Sequence, residues 1–242
     1  MRTTRIYTDQ PLAADAGIEL GKDAARHLVS VLRLKVGDAV CLFNGQGGEY
    51  SGEISAASPK AVTVRTRVHN PGDRESPLKT LLGIGISRGE RFEWMLQKAT
   101  ELGVTEIFPL FTERTEVKLK GEREEKKHAR WQQVIISACE QCGRNRLPEL
   151  HNPQALQEFF STQAASRFVL HHRSDITLQS LADQRPDSVA VLIGPEGGLS
   201  TDEIDQAQQA GFRALTIGPR VLRTETAPLA ALAVLQGLWG DF

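Results

Sequence analysis

Hydrophobic positions along the chain follow two rhythms. Val40–Phe43, Glu49–Ile54 and Val62–Val68 are short runs rich in β-branched or aromatic residues, separated by Gly45-Gln46-Gly47-Gly48 and Ser58-Pro59-Lys60. That pattern predicts strands joined by tight turns. One amphipathic segment, Asp23–Leu34, interrupts them and predicts a helix with Leu28, Val29 and Leu32 on one face and Arg26 and Arg33 on another. His69–Pro77 is rich in proline, glycine and polar residues, the composition of a linker. It predicts two domains, 1–72 and 73–242.

Beyond the linker, strand-like runs alternate with helical ones. Leu78–Ser87 and Val104–Phe111 predict strands on either side of a helix, Glu90–Leu102, whose apolar stripe is Phe92, Met95, Leu96, Ala99 and Leu102, with Gly103 as its stop. The charged stretch after Thr112 contains a second stripe, Trp131, Val134, Ile135, Ala138 and Cys142. Asn152-Pro153 predicts the cap of a short helix to about Phe160, and Phe168–Leu170 the next strand. Val189–Ile193 and Ala214–Ile217 are further strands, each ending at a Gly-Pro pair. Between them Ser200-Thr201-Asp202-Glu203 fits a capping box, with Gly211 as the helix stop. This alternation predicts an α/β domain with a mostly parallel sheet. Both Gly-Pro loops then leave the carboxyl edge of the sheet, where open α/β folds bind ligands. A small-molecule pocket is expected between Gly194–Gly198 and Gly218–Ala227. The last helix, Ala227–Trp239, is apolar on nearly every side, which predicts burial on more than one face.

Composition narrows the class. The chain has 242 residues, 40% hydrophobic and 24% charged, which suits one large or two small soluble domains. The net charge of −1 does not point to nucleic acid, so any basic surface must be local. There is no transmembrane-length apolar run and no signal-peptide pattern at the N-terminus, and three cysteines make no disulfide scaffold, so a cytoplasmic location is expected.

Three motifs carry less than they suggest. Gly83-Ile84-Gly85 with Gly89 places its third glycine one residue late for a dinucleotide turn; close backbone packing is the better reading. Cys139 and Cys142 form a C-x-x-C near a helix end, without the further ligands of a zinc site, and read as small core fillers. His171 and His172 are adjacent on a strand end and point to opposite sides, so no metal is expected there.

The phrases IGPEGGLS (Ile193–Ser200) and IGPRVLRTETA (Ile217–Ala227) closely resemble the two signature loops of the SPOUT methyltransferases, and within them the RsmE-type enzymes. QKATELGV (Gln97–Val104), EQCGR (Glu140–Arg144) and RHLVSVLR (Arg26–Arg33) match the same family, so the resemblance spans essentially the whole chain. It implies a C-terminal α/β domain with a trefoil knot and a small N-terminal PUA-like β-barrel. It also implies a homodimer that uses S-adenosyl-L-methionine to methylate the N3 nitrogen of a uridine in 16S ribosomal RNA of the small ribosomal subunit. The implied cofactor residues are Leu170, His171, Ile193, Gly194, Pro195, Glu196, Gly197, Gly198, Ile217, Gly218, Pro219, Leu222, Arg223, Thr224 and Ala227. Arg2, Arg5, His27, Arg33, Arg88, Arg114 and Arg144 become candidates for RNA contact.

The chemistry of that reaction assigns two further roles. A positive sulfonium favours a nearby carboxylate, Glu196 or Glu225. Uridine N3 must lose its proton to attack, and Arg223 is placed in sequence to stabilise charge on the flanking carbonyl oxygens, with Glu225 a possible base. A salt bridge locking the loop is the structural alternative for Arg223 and Glu225. Two other functions remain open from sequence: a SPOUT enzyme acting on another RNA, such as tRNA or a 23S rRNA ribose, and a non-catalytic RNA-binding protein of ribosome assembly.

Overall fold

The computed structural model describes residues 3–242 apart from 59, 172, 173, 175, 177 and 182. Arg2, His172 and Arg173 therefore lie outside the described residues. The chain divides into two compact units: Met1–Glu75 with Cys139–Leu147, and Ser76–Ala138 with Pro148–Phe242. A single cut after residue 72 thus leaves out a nine-residue return segment, Cys139–Leu147, that packs with the first unit.

The first unit holds a five-stranded sheet: β1 (Thr4–Tyr7), β2 (Gly17–Leu20), β3 (Ala39–Phe43), β4 (Glu49–Ala57) and β5 (Val62–Asn70), in the order β1-β3-β4-β5-β2. Alternation places Ile6, Ile18, Leu20, Val40, Leu42, Ile54, Val62 and Val64 in one core, with Ala25 and Leu28 covering it. The helix expected over Asp23–Leu34 is shorter and changes type. An α-turn, α1 (Lys22–Ala25), runs into a π-helix at Arg26–Val31. The wider π-turn rotates later residues off the expected face, so Leu28 is fully buried while Leu32 is 40% exposed. Arg33 follows with φ 58°, in the left-handed region.

Arg5 and Arg144, both expected at an RNA surface, are instead framework residues of this unit. The Arg5 side chain is 7% exposed and pairs with Glu49, while its guanidinium also donates to Asn145 Oδ1 at 2.7 Å and to the Arg144 carbonyl at 3.0 Å. Arg144 is 5% exposed and pairs with Glu75. Burial makes the pairing necessary, because an unpaired buried guanidinium is too costly. Cys41 and Cys139 are buried here, and burial pushes both thiols up to about 12. Neither is a thiolate at neutral pH; Cys139 is the core filler expected of it, whereas Cys142 is half-buried.

In the second unit every strand pair is parallel. The strands are β6 (Lys79–Gly85), β7 (Glu106–Phe111), β8 (Glu149–Leu150), β9 (Gln154–Ala155), β10 (Ser166–Leu170), β11 (Ser188–Ile193) and β12 (Arg213–Leu215). Their order is β12-β10-β11-β6-β7-β8, with β9 also on β7. The expected helix from Asn152 begins later: Gln154–Ala155 first pairs with β7, leaving α4 as Leu156–Phe159. The other helices are α2 (Glu90–Glu101), α3 (Glu122–Cys142, whose last four residues belong to the first unit), α5 (Thr201–Gln209) and α6 (Thr226–Trp239). One face of the sheet packs Leu81, Leu110, Val169, Ala190 and Leu192 against Leu156, Phe159, Ala207 and Phe212. Among the described residues, no helix is long and apolar enough to cross a membrane.

Gly83 and Gly85 permit close packing, as their spacing suggested. A Cβ on Gly83 would lie 2.5 Å from the Phe159 ring, and one on Gly85 would lie 2.5 Å from Pro195 N and Cδ. Those glycines let a core ring and a loop backbone seat directly on β6.

Candidate active site

The two Gly-Pro loops lie at the carboxyl edge of the parallel sheet and are tied together. Parallel pairing of β11 with both β6 and β10 brings Ile193 beside Ile84 and ends β11 where Gly194–Gly198 begins. Pro195 C=O accepts from Gly198 N–H at 2.8 Å, closing a tight turn that Gly198 completes at φ 67°. Thr224, 8% exposed, donates its hydroxyl to the Gly194 carbonyl at 3.1 Å. That bond joins the second loop to the first. Gly218 turns the second loop at φ 82°, and among the described residues only Arg220 Nη2, at 3.8 Å, comes near its empty Cβ position.

A second layer of bonds fixes the first loop. Ser200 caps α5 in a capping box with Glu203, and the other carboxylate oxygen of Glu203 accepts from Glu113 N–H at 2.8 Å. Arg114, expected to meet RNA, donates to the Gly197 carbonyl at 2.8 Å, so its guanidinium supports the loop. Glu113 and Glu203 escaped sequence reasoning as loop supports, because their joining depends on β7 ending opposite the start of α5. The capping box alone was legible.

The two candidate carboxylates behave differently. Glu196 accepts from the Arg88 backbone N–H at 3.0 Å and stands 3.7 Å from Arg91 Nη1. Its charge is spent at the start of α2. Glu225, two residues past Arg223, has a buried Oε2 with no hydrogen-bond partner among the described residues. No ion pair joins it to Arg223 among the described residues, so the loop-locking salt bridge is not present. Arg223 is exposed, and its carbonyl accepts from Thr226 and Ala227 N–H at 2.9 Å, starting α6. Of the remaining loop residues, Ile193 and Pro195 are buried, Leu170, His171, Ile217, Leu222 and Ala227 are half-buried, and Pro219 is exposed.

These features fit a cationic cofactor bound through its edges: glycines that admit close approach, apolar walls, and one buried carboxylate oxygen awaiting a partner. Elsewhere Glu106, Glu149 and His151 bring ligand-type atoms within 4.8 Å. Glu106 is already paired there with Lys79 and His151.

A parallel α/β unit whose glycine loops converge at one sheet edge defines a nucleotide-type cofactor site. The chain belongs to the RNA methyltransferase family: the RNA methyltransferase domain matches residues 74–236, and the RNA methyltransferase PUA domain matches residues 20–66. It is 35% identical to the ribosomal RNA small subunit methyltransferase E of Buchnera aphidicola from Schizaphis graminum, over 99% of this chain and 98% of that one. The enzyme of the same name from Bacillus subtilis is 30% identical, over 95% and 93%. Among solved structures, a protein from Legionella pneumophila described as a methyltransferase with bound cofactor SAM is 43% identical, with TM-score 0.96 and full coverage of both chains. The ribosomal RNA small subunit methyltransferase E of Neisseria gonorrhoeae, bound to S-adenosyl methionine, is 36% identical, with TM-score 0.91 and full coverage.

Proposed function

We propose that this protein is an S-adenosylmethionine-dependent methyltransferase acting on the N3 nitrogen of a uridine in small-subunit ribosomal RNA. The observation that carries the reading is the buried, unpartnered Oε2 of Glu225 beside two joined glycine loops. Relatives named ribosomal RNA small subunit methyltransferase E span nearly the whole chain, and two similar structures hold S-adenosylmethionine. S-adenosylmethionine supplies an electrophilic methyl group when bound. The chain's residues do the rest. Gly194, Gly197, Gly198 and Gly218 let the backbone approach the cofactor, with Leu170, His171, Ile193, Pro195, Ile217, Pro219, Leu222, Thr224 and Ala227 as its remaining walls. Glu225 would offer its carboxylate to the cationic sulfur of the bound cofactor. Arg223, exposed and free of Glu225, stabilises negative charge on the uridine carbonyl oxygens as N3 loses its proton. Glu225 is also the candidate base for that proton.

RNA contact falls to the exposed His27 and Arg33 of the first unit and to the exposed Arg88 and Arg114 of the second, with Arg2 as a further candidate. We further propose that the chain around the two loops forms a trefoil knot. In support, Thr216 N–H donates to the Ile176 carbonyl and Ser174 Oγ to the Ala214 carbonyl, which ties the chain around β12 to Ser174 and Ile176. The half-buried apolar side chains of α6, Leu229, Val234 and Leu238, suit a homodimer, and the enzyme works in the cytoplasm.

Glu225→Gln tests the site. It should weaken S-adenosylmethionine about tenfold in calorimetric titration while barely changing S-adenosylhomocysteine, whose sulfur is neutral. Equal affinity loss for both ligands would contradict the role of Glu225.

A further inference from the structure

The second unit contains a cleft of about 460 Å³ that the cofactor loops do not line. Its floor is apolar: Ile86, Phe92, Leu119 and Trp131, each at most 4% exposed. Its rim is basic, with Arg88, Lys118, Arg123 and Lys127 against a single carboxylate, Glu116. Arg88 is paired with Glu116 and Lys127 with Glu93, which leaves Lys118 and Arg123 with no ion pair among the described residues.

Two further features point to a ligand. The N-terminus of α2 opens at the cleft: Gly89 stands at φ 63° with no side-chain cap and nothing within 4 Å of its empty Cβ position. Glu196 takes the Arg88 N–H just ahead of this twelve-residue helix, and the first amides of the helix itself have no acceptor among the described residues. Trp131, 2% exposed and lining the cleft, has an indole N–H with no hydrogen-bond partner among the described residues. An orphaned buried donor beside a basic rim calls for an acceptor from outside the chain.

The cleft also adjoins the reaction site. Ile86–Gly89 leave the carboxyl end of β6, the neighbour of β11, and Arg88 N–H bonds to Glu196 of the first glycine loop. Arg123 and Lys127 continue into a shallower groove along α3 with Glu122, Lys126 and Arg130, where Lys126 pairs with Glu122 and Lys127 and Arg130 pair with Glu93, so Arg123 is the cation there with no ion pair among the described residues.

We propose that this cleft receives a nucleotide of the substrate RNA strand, its phosphate held by Lys118, Arg123 and the amide end of α2, and its base and sugar seated over Phe92 and Trp131. The phosphate contacts position the strand, and the indole N–H meets an acceptor of the seated nucleotide. The proposal rests on the methyltransferase reading and extends it to the substrate.

The test uses the full-length protein and three readouts: anisotropy of a fluorescein-labelled small-subunit rRNA fragment at several salt concentrations, calorimetry with S-adenosylmethionine, and methyl transfer to small ribosomal subunits lacking the modification. Lys118→Ala with Arg123→Ala removes two exposed cations and leaves the core intact. It should weaken RNA binding about tenfold at moderate salt, flatten the salt slope by about two, and leave cofactor affinity unchanged. Lys118→Arg with Arg123→Lys should restore both. Trp131→Phe, which keeps the ring but deletes the donor, should weaken RNA severalfold with the salt slope unchanged. RNA affinity and salt slope unchanged in the double alanine variant, with methyl transfer intact, would overturn the cleft assignment. A wild-type protein without methyl transfer, whose RNA binding still responds to these variants, would overturn the enzymatic reading and support the cleft.

Discussion

Gly85→Ala separates the site from the fold more sharply than any change to a loop residue. The new Cβ would stand 2.5 Å from Pro195 N and Cδ and 3.0 Å from the Gly194 carbonyl carbon, whereas ordinary contact begins at 3.4 Å. Two of those atoms are backbone, so no side-chain rotation relieves the clash. The first glycine loop must move by about 1 Å, and a misplacement of that size is enough to cost on the order of 10²-fold where geometry matters. Overpacking of this kind costs about 1–3 kcal/mol, or about 2–12 °C in melting temperature for a chain of this length. Gly83→Ala is the matched control. Its Cβ would strike the Phe159 ring at 2.5 Å, on the same strand but away from the loops. Both variants should melt lower by similar amounts. Only Gly85→Ala should weaken S-adenosylmethionine, by at least about tenfold in calorimetric titration of the folded protein. Equal cofactor affinity in the two variants, or a loss shared by both, would refute the placement of the pocket against the Gly194–Gly198 loop.

Three other outcomes follow from the same structure. Arg223→Ala should lower turnover about 10²-fold while changing cofactor affinity little; equal losses would assign Arg223 to holding the loop. Arg33→Ala should weaken RNA binding and reduce its salt slope by about one, with cofactor calorimetry unchanged, and unaltered RNA affinity would remove it from the contact surface. Burial raises the pKa of Glu140 despite the hydrogen bond from Tyr7 N–H and the nearby His27 and Arg5. A carboxyl whose folded pKa is raised adds stability below its unfolded value and loses it as pH climbs through the folded one. Glu140→Gln should therefore gain melting temperature relative to wild type as pH rises from about 4 to 7, and a constant difference across that window would contradict the account.

Much of this was legible along the chain, for local reasons. The Ser200–Glu203 box, the stops at Gly103 and Gly211 and the two Gly-Pro loops are written in a few neighbouring residues, and the structure has them in place. What escaped depends on pieces distant in sequence. The strands Thr4–Tyr7 and Gly17–Leu20 are too short to show a period, and they exist through pairing with β3 and β5. The π-turn at Arg26–Val31 keeps the composition of an α-helix, so its rotated face cannot be read from spacing. Arg5 and Arg144 look like surface cations until the return of Cys139–Leu147 to the first unit buries them among Glu49, Glu75 and Asn145. Arg114 likewise becomes a loop support only because β7 ends opposite the Gly197 carbonyl. The loop residues of the site were visible, but the bonds that hold those loops were not.

The central claim is tested most directly by incubating the purified protein with labelled S-adenosylmethionine and small ribosomal subunits from a strain lacking it, then digesting the RNA to nucleosides. The account predicts label in 3-methyluridine, from the small-subunit RNA alone. Label in another nucleoside or in a ribose, or none despite cofactor binding, would contradict it.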